Sequence, residues 1–135
     1  MERIGICIFI LCIGAILGYQ LFQKYEHSRL VGGMDSVNNF LKENYNEDHG
    51  VWKPVKRVEC ADGFSISIQA GFYTYSEPRC DKAWPYTKVE LGFPSEQDHL
   101  IDIYAEDPDT TQTVYGYVPI KVVNKLIKKH GGIIN

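Results

Sequence analysis

The sequence predicts an α+β protein: a single N-terminal transmembrane helix followed by a small antiparallel sheet of about four strands with helices packed on it. Three observations carry that prediction. Residues 4–22 form one almost unbroken apolar run. Beyond residue 54, short segments alternate apolar and polar side chains with period two, and Asp-Gly and Asp-Pro-Asp punctuate them. Two further segments, near residues 35–45 and 119–130, repeat their apolar side chains at helical spacing. At 135 residues the chain has room for one domain. It divides into an anchor at 1–23, a linker at 24–34 and an α+β domain at 35–135.

The apolar run, Ile4 to Phe22, is 19 residues long and has Gln20 as its clearly polar member. At about 1.5 Å per residue it covers roughly 28 Å, the thickness of a bilayer's hydrocarbon core. It shows no polar face, as a helix at a soluble core would. A cleaved signal peptide fits less well, because Arg3 stands beside Glu2 and no A-x-A pattern follows the run. Lys24 and Arg29 outnumber Arg3 across the run, which leans the C-terminal domain to the cytoplasmic side of a bacterial inner membrane. Gly14 and Gly18 make a G-x-x-x-G face, open both to homo-oligomer formation and to glycine's ordinary frequency in membrane helices.

The first domain helix is capped by Asp35 or Ser36, carries Val37, Phe40, Leu41 and Tyr45, and ends in Asn46 to Gly50. Val55–Cys60 and Phe64–Ala70 then form a hairpin around Ala61-Asp62-Gly63. In its second strand Phe64, Ile66, Ile68 and Ala70 face inward, and Ser65, Ser67 and Gln69 face water. A third strand, Thr87–Phe93, places Val89, Leu91 and Phe93 on one side. Ser95 and Asp98 have the form of a capping box opening a short helix to about Tyr104, which Asp107-Pro108-Asp109 breaks. Thr111–Val118 is the fourth strand, with Thr113, Tyr115 and Tyr117 on one face. The final helix starts at Pro119, buries Val122, Val123, Leu126 and Ile127, and stops at Gly131-Gly132. Lys125, Lys128, Lys129 and His130 suit the negative end of its dipole.

Composition excludes several classes. Hydrophobic residues make up 44% and charged residues 23%, which rules out wholesale disorder and fibrous repeats. From Met34 onward eleven Lys or Arg face fifteen Asp or Glu, the wrong sign for general nucleic-acid binding. No metal site is predicted, since Cys60, Cys80, His49, His99 and His130 follow no ligand spacing. Cys60 and Cys80 stand as one buried and one loop thiol, or as a disulfide in an oxidising space. Neither a nucleophile elbow nor a phosphate loop occurs, so neither a catalytic residue nor a cofactor is predicted.

The stretch Gly71 to Tyr86, GFYTYSEPRCDKAWPY, stands out, with five aromatics, one arginine and one lysine in 16 residues. Aromatic faces stack on bases, and an arginine fork grips phosphate or carboxylate. The candidate ligand-binding residues are therefore Tyr73, Tyr75, Arg79, Lys82, Trp84 and Tyr86. Arg79 and Lys82 would take the charge and the four rings would stack. The same rings suit a protein interface. They also suit a purely architectural role, with Tyr73 and Tyr75 continuing the second strand and Trp84-Pro85-Tyr86 packing on the core.

Three runs carry a resemblance: ADGFSISIQA (61–70), YTKVELGFPSEQ (86–97) and YAEDPDTTQTVYGYVPIKVVNKLIKKHGGI (104–133). Their order and spacing are similar to a family of small, mostly uncharacterised proteins of tailed bacteriophages and prophages, over residues 34–134. Members tend to carry a Tyr-Cys-x-Pro-Arg turn. Here Tyr75-Ser76-Glu77-Pro78-Arg79 matches it, with the cysteine displaced to Cys80. The resemblance begins at Met34, so the span is either an addition to the pattern or lies upstream of the true start, in which case the protein is cytoplasmic. It implies a phage protein acting in host takeover or counter-defence. The expectation is a non-enzymatic module that captures a small anionic, nucleotide-like ligand, as some phage sponges of immune signals do. The alternative is a module that docks on a host protein. The third is a small nucleotide hydrolase using carboxylates between Glu96 and Asp109.

Overall fold

The computed structural model describes residues 15–20, 34–47 and 53–135. The chain forms two units, Met1–Met34 and Asp35–Asn135. In the first, residues 15–20 are helical, and Ile16, Leu17 and Tyr19 are exposed. No helix among the described residues is long and apolar enough to cross a membrane. The rest of the predicted span at 4–22 lies outside the described residues, as do the linker up to residue 33 and residues 48–52.

The second unit is α+β, as predicted. Helix α1 (Ser36–Glu43) is capped by Asp35, whose carboxylate accepts the Asn38 N–H at 2.9 Å. Its buried face is Val37, Phe40 and Leu41. Strands β1 (Val58–Glu59), β2 (Ser65–Gln69), β3 (Lys88–Gly92) and β4 (Val114–Pro119) follow, then helix α2 (Ile120–Lys129). The four strands lie side by side in chain order, and every pair is antiparallel. The Asp-Gly hairpin forms as expected: Gly63 takes φ 92° and the Cys60 N–H reaches the Phe64 carbonyl at 2.8 Å. One core joins Val37, Phe40 and Leu41 with Val58, Ile66, Ile68, Val89, Leu91, Tyr115, Val118, Val123, Leu126 and Ile127. Pro119 closes β4 and stands at the N-cap position of α2, so the helix begins at Ile120 rather than at Pro119.

Five expectations need correction. Strand β1 is two residues long rather than six, because the Gln69 side chain takes over its pairing. The Gln69 amide accepts the Val55 N–H at 2.9 Å and donates to the Val55 carbonyl at 2.8 Å. Gln69, expected to face water, is therefore buried. The helix expected at 95–104 reduces to a 3-10 turn, Asp102–Tyr104. Ser95 does not cap it; its N–H and hydroxyl instead pair with the Ser65 carbonyl and N–H at 2.8 and 2.9 Å, and Asp98 turns inward. Phe93 leaves the core side of β3, with φ 50° and half its surface exposed. Tyr117 likewise leaves the face it was expected to share with Tyr115 and Thr113. Val89 pairs with Val118 and Leu91 with Tyr115, so β4 carries one extra residue there. The bulge keeps Tyr115 and Val118 in the core and turns Tyr117, at φ 51°, to the outside.

Both edges of the sheet are occupied by the chain's own segments. Along β1, the Ile134 N–H donates to Glu59 at 2.9 Å, and the Asn135 side chain accepts the Glu59 N–H at 3.0 Å. Along β4, Val114 accepts the Glu106 N–H at 3.1 Å, and Tyr117 donates to the Tyr75 carbonyl at 3.0 Å. Covered edges resist addition of a foreign strand. The Cys60 thiol is buried and the Cys80 thiol is exposed; both are free, so no disulfide joins them.

Candidate functional site

The β2–β3 loop, residues 70–87, is tied down by its own polar groups. Ser76 is buried, and its hydroxyl accepts the Gly71 N–H at 3.0 Å. Thr74 donates to the Gly71 carbonyl at 3.1 Å, and the Phe72 N–H reaches Asp81 at 3.0 Å. The far end of the loop is clamped by Asn38 of α1. Its fully buried amide accepts the Tyr86 N–H at 2.7 Å and donates to the Tyr86 carbonyl at 3.0 Å. A loop fixed in this way loses little conformational entropy on binding.

The structure divides the six predicted site residues into two groups. Lys82, Trp84 and Tyr86 hold the loop on the domain. The Lys82 ammonium sits 2.7 Å from Glu47, and that hydrogen bond raises its pKa. Trp84 is half-buried, with its ring edge-on to Tyr45 at 5.4 Å. Tyr86 is 2% exposed, so neither ring face is open to stacking. Its hydroxyl donates to the Cys80 carbonyl at 2.6 Å and accepts the Ala83 N–H at 3.1 Å. Burial pushes its pKa up. As a ligand-stacking residue Tyr86 is corrected to an anchor, because a ring inside the core stabilises the loop instead.

Tyr73, Tyr75 and Arg79 form the other group, and all three are exposed. The Arg79 Nε donates to the Phe72 carbonyl at 3.1 Å, and its guanidinium lies 5.6 Å from the Tyr75 ring centroid. Its terminal nitrogens meet no carboxylate among the described residues. Tyr75 donates its N–H to Glu90 at 2.9 Å and lies over Gly116, where an added Cβ would come within 3.4 Å of the Tyr75 Cβ. Two further rings complete the surface, Phe72 edge-on to Tyr73 at 5.0 Å and Tyr117 beside Tyr75 at 5.7 Å. Sequence reasoning missed Tyr117 because strict alternation puts it on one face with Thr113 and Tyr115, and a bulge leaves no plain signal in β4. Phe72 was legible as one more ring in the same stretch.

A second cluster lies where α2 ends. The His130 Nδ1 meets Asp62 at 2.7 Å and its Nε2 meets Asp98 at 2.9 Å, while Lys129 also reaches Asp98 at 2.8 Å. Phe64 stacks flat on the imidazole at 3.9 Å. Burial opposes the charged ring, but the hydrogen bonds to Asp62 and Asp98 outweigh it and raise the His130 pKa. Desolvation likewise opposes the Asp98 charge, and Lys129, the Leu100 N–H and His130 overcome it, lowering that pKa. For Asp62 the Phe64 N–H acts first and His130 second, also downward. Carboxylate oxygens face both ring nitrogens, so in the charged ring each N–H has its acceptor. The cluster therefore ties the hairpin, the 95–101 segment and α2 together.

Four of the six carboxylates between Glu96 and Asp109 have partners within the fold. Asp98 belongs to that cluster, Asp102 meets His99 at 2.7 Å and Gln97 at 3.0 Å, and Asp107 and Asp109 accept backbone N–H groups of their own turns. Two surface cavities adjoin Ser36 and Ile133: one of about 540 Å³ between the start of α1, α2 and the C-terminal tail, and one of about 230 Å³ between α1 and the tail. Neither includes a residue of the aromatic loop. Comparison of the chain with protein-family models, with curated proteins and with solved structures gives no match.

Proposed function

We propose that the chain is a non-enzymatic binding module that docks on a protein partner through Phe72, Tyr73, Tyr75, Arg79 and Tyr117. The observation that carries this reading is Tyr117. A non-glycine residue at φ 51° sits in a left-handed conformation that costs roughly 1 kcal/mol or more. The bulge that keeps Tyr115 and Val118 in the core thereby sets a large ring on the surface beside Tyr75, where the ring itself adds nothing to the core. Tyrosines and an arginine on a pre-ordered loop are the residue types that dominate protein interfaces.

Capture of a small anionic, nucleotide-like ligand is the second reading, favoured by the open guanidinium of Arg79 over an aromatic face. Its other cation, Lys82, is already neutralised by Glu47, and two of its rings serve the loop. A surface of exposed rings with one unmatched cation suits a partner with an acidic side chain better than a free nucleotide. Phage origin and a counter-defence role rest on the sequence resemblance, and they supply the class of partner, a bacterial host protein. The apolar length of residues 4–22 supports a tether in the inner membrane with the domain on the cytoplasmic side. Affinity capture from host lysate with the full chain and with Tyr73→Ala and Arg79→Ala tests the reading. A host protein retained by the parent chain and lost with both variants is expected; equal retention by all three would remove the patch from the interface.

A further inference from the structure

The outer face of α2 carries a feature that the aromatic patch does not use. Lys121, Lys125 and Lys128 are all exposed, and their spacing of four and three residues sets them in one stripe. None of the three meets a carboxylate among the described residues, whereas neighbouring Lys129 is held by Asp98 at 2.8 Å. No Asp or Glu occurs anywhere from residue 110 to residue 135, so the helix supplies no counter-charge of its own. The helix dipole rewards a cation at 128 but opposes one at 121, in the first turn. General basicity is no explanation either, because the domain is net acidic. The charges are segregated: the segment 96–109 holds six acidic residues and no lysine or arginine, and α2 holds the reverse.

We propose that the Lys121–Lys125–Lys128 stripe rests on an anionic lipid surface. The proposal builds on the reading that residues 4–22 tether the chain. A tether keeps the domain near the headgroups, and the lean of Lys24 and Arg29 places it on the leaflet side where anionic lipid gathers. There each lysine near the surface strengthens the contact about fivefold. Three lysines in a row on a rigid helix present their charge to a flat surface together.

The test uses the full chain with vesicles of phosphatidylcholine alone and of equal parts phosphatidylcholine and phosphatidylglycerol. Acylation rates of individual lysines are read by mass spectrometry, with Lys88, which is paired to Glu77, as the internal reference. Lys121, Lys125 and Lys128 are expected to react at least about fivefold more slowly on the anionic vesicles, with protection lost in molar salt. The variant carrying Lys121→Gln, Lys125→Gln and Lys128→Gln keeps its fold and loses the salt-sensitive part of its binding to anionic vesicles. Equal acylation on both vesicle types overturns the proposal. So does protection by polyphosphate in detergent without protection by anionic vesicles, which assigns the stripe to a soluble polyanion. The tether is read separately: failure of the chain to float with phosphatidylcholine vesicles sinks the tether, while the lysine rates on anionic vesicles still decide the stripe.

Discussion

His130 has carboxylates against both ring nitrogens, so its positive charge is part of the fold rather than a helix-end ornament. Its folded pKa stands above the ordinary 6.5, so its contribution is fully present below that value and is lost as pH rises through the folded one. Asp62 and Asp98 stand below the ordinary 3.8; their contributions are present above it and are lost as pH falls through the folded values. Stability is therefore expected to decline as pH rises above 6.5, before Cys60 ionises above its ordinary 9.0. His130→Ala should cost about 3 kcal/mol near pH 6, since it leaves the buried Asp98 short of a partner. It should also flatten the alkaline decline. Urea unfolding across pH checks both; an unchanged slope in the variant would assign the pH dependence elsewhere. Little of this was legible in the sequence. Asp98 satisfied the pattern of a helix cap and His130 that of a helix-end cation, and nothing in their spacing shows that the fold brings them together.

Among the elements, the loop and the bulge depend on a few side-chain amides and one strained residue. Asn38 occupies a polar-looking helix position, yet it satisfies both backbone groups of Tyr86. Asn38→Ala leaves those groups buried and unpaired, and a loss of about 2 kcal/mol is expected by thermal or urea unfolding. A loss under about 0.5 kcal/mol would mean that water or a neighbour replaces the amide. Tyr117→Gly separates strain from function. Glycine tolerates the positive φ, so stability should hold or rise by up to about 1 kcal/mol while capture of the partner weakens. If stability falls and capture persists, Tyr117 is a packing residue. Element types were readable because α1, β2, β3 and α2 each bury a periodic face, such as Ile66 with Ile68 or Val123 with Leu126 and Ile127. Their ends were less readable, because Gln69 and Ser95 substitute side-chain pairing for the expected strand and helix.

For the whole molecule, segregation is the common theme. The core fills one face of a meander sheet, the sheet edges are closed by residues 105–106, Tyr75 and the C-terminal tail, and the aromatic loop and lysine helix remain outward. Half of the candidate site was legible from composition alone, since a ring-rich stretch with Arg79 stands out in any sequence. The other half was not, because burial of Tyr86 and pairing of Lys82 are set by α1 and its following turn, distant in the chain.

In the proposed function the exposed rings and Arg79 contact a protein. The most direct test of that contact exposes the full chain, and a folded Tyr73→Ala/Arg79→Ala double variant, to host lysate and to a panel of cyclic and ADP-ribose-type nucleotides. The proposal predicts one host protein retained at least about tenfold more by the parent chain, which corresponds to about 1.4 kcal/mol, with the nucleotides undepleted. Depletion of a nucleotide that the parent chain releases intact on heating, with no difference in retained protein, would contradict it and establish ligand capture instead.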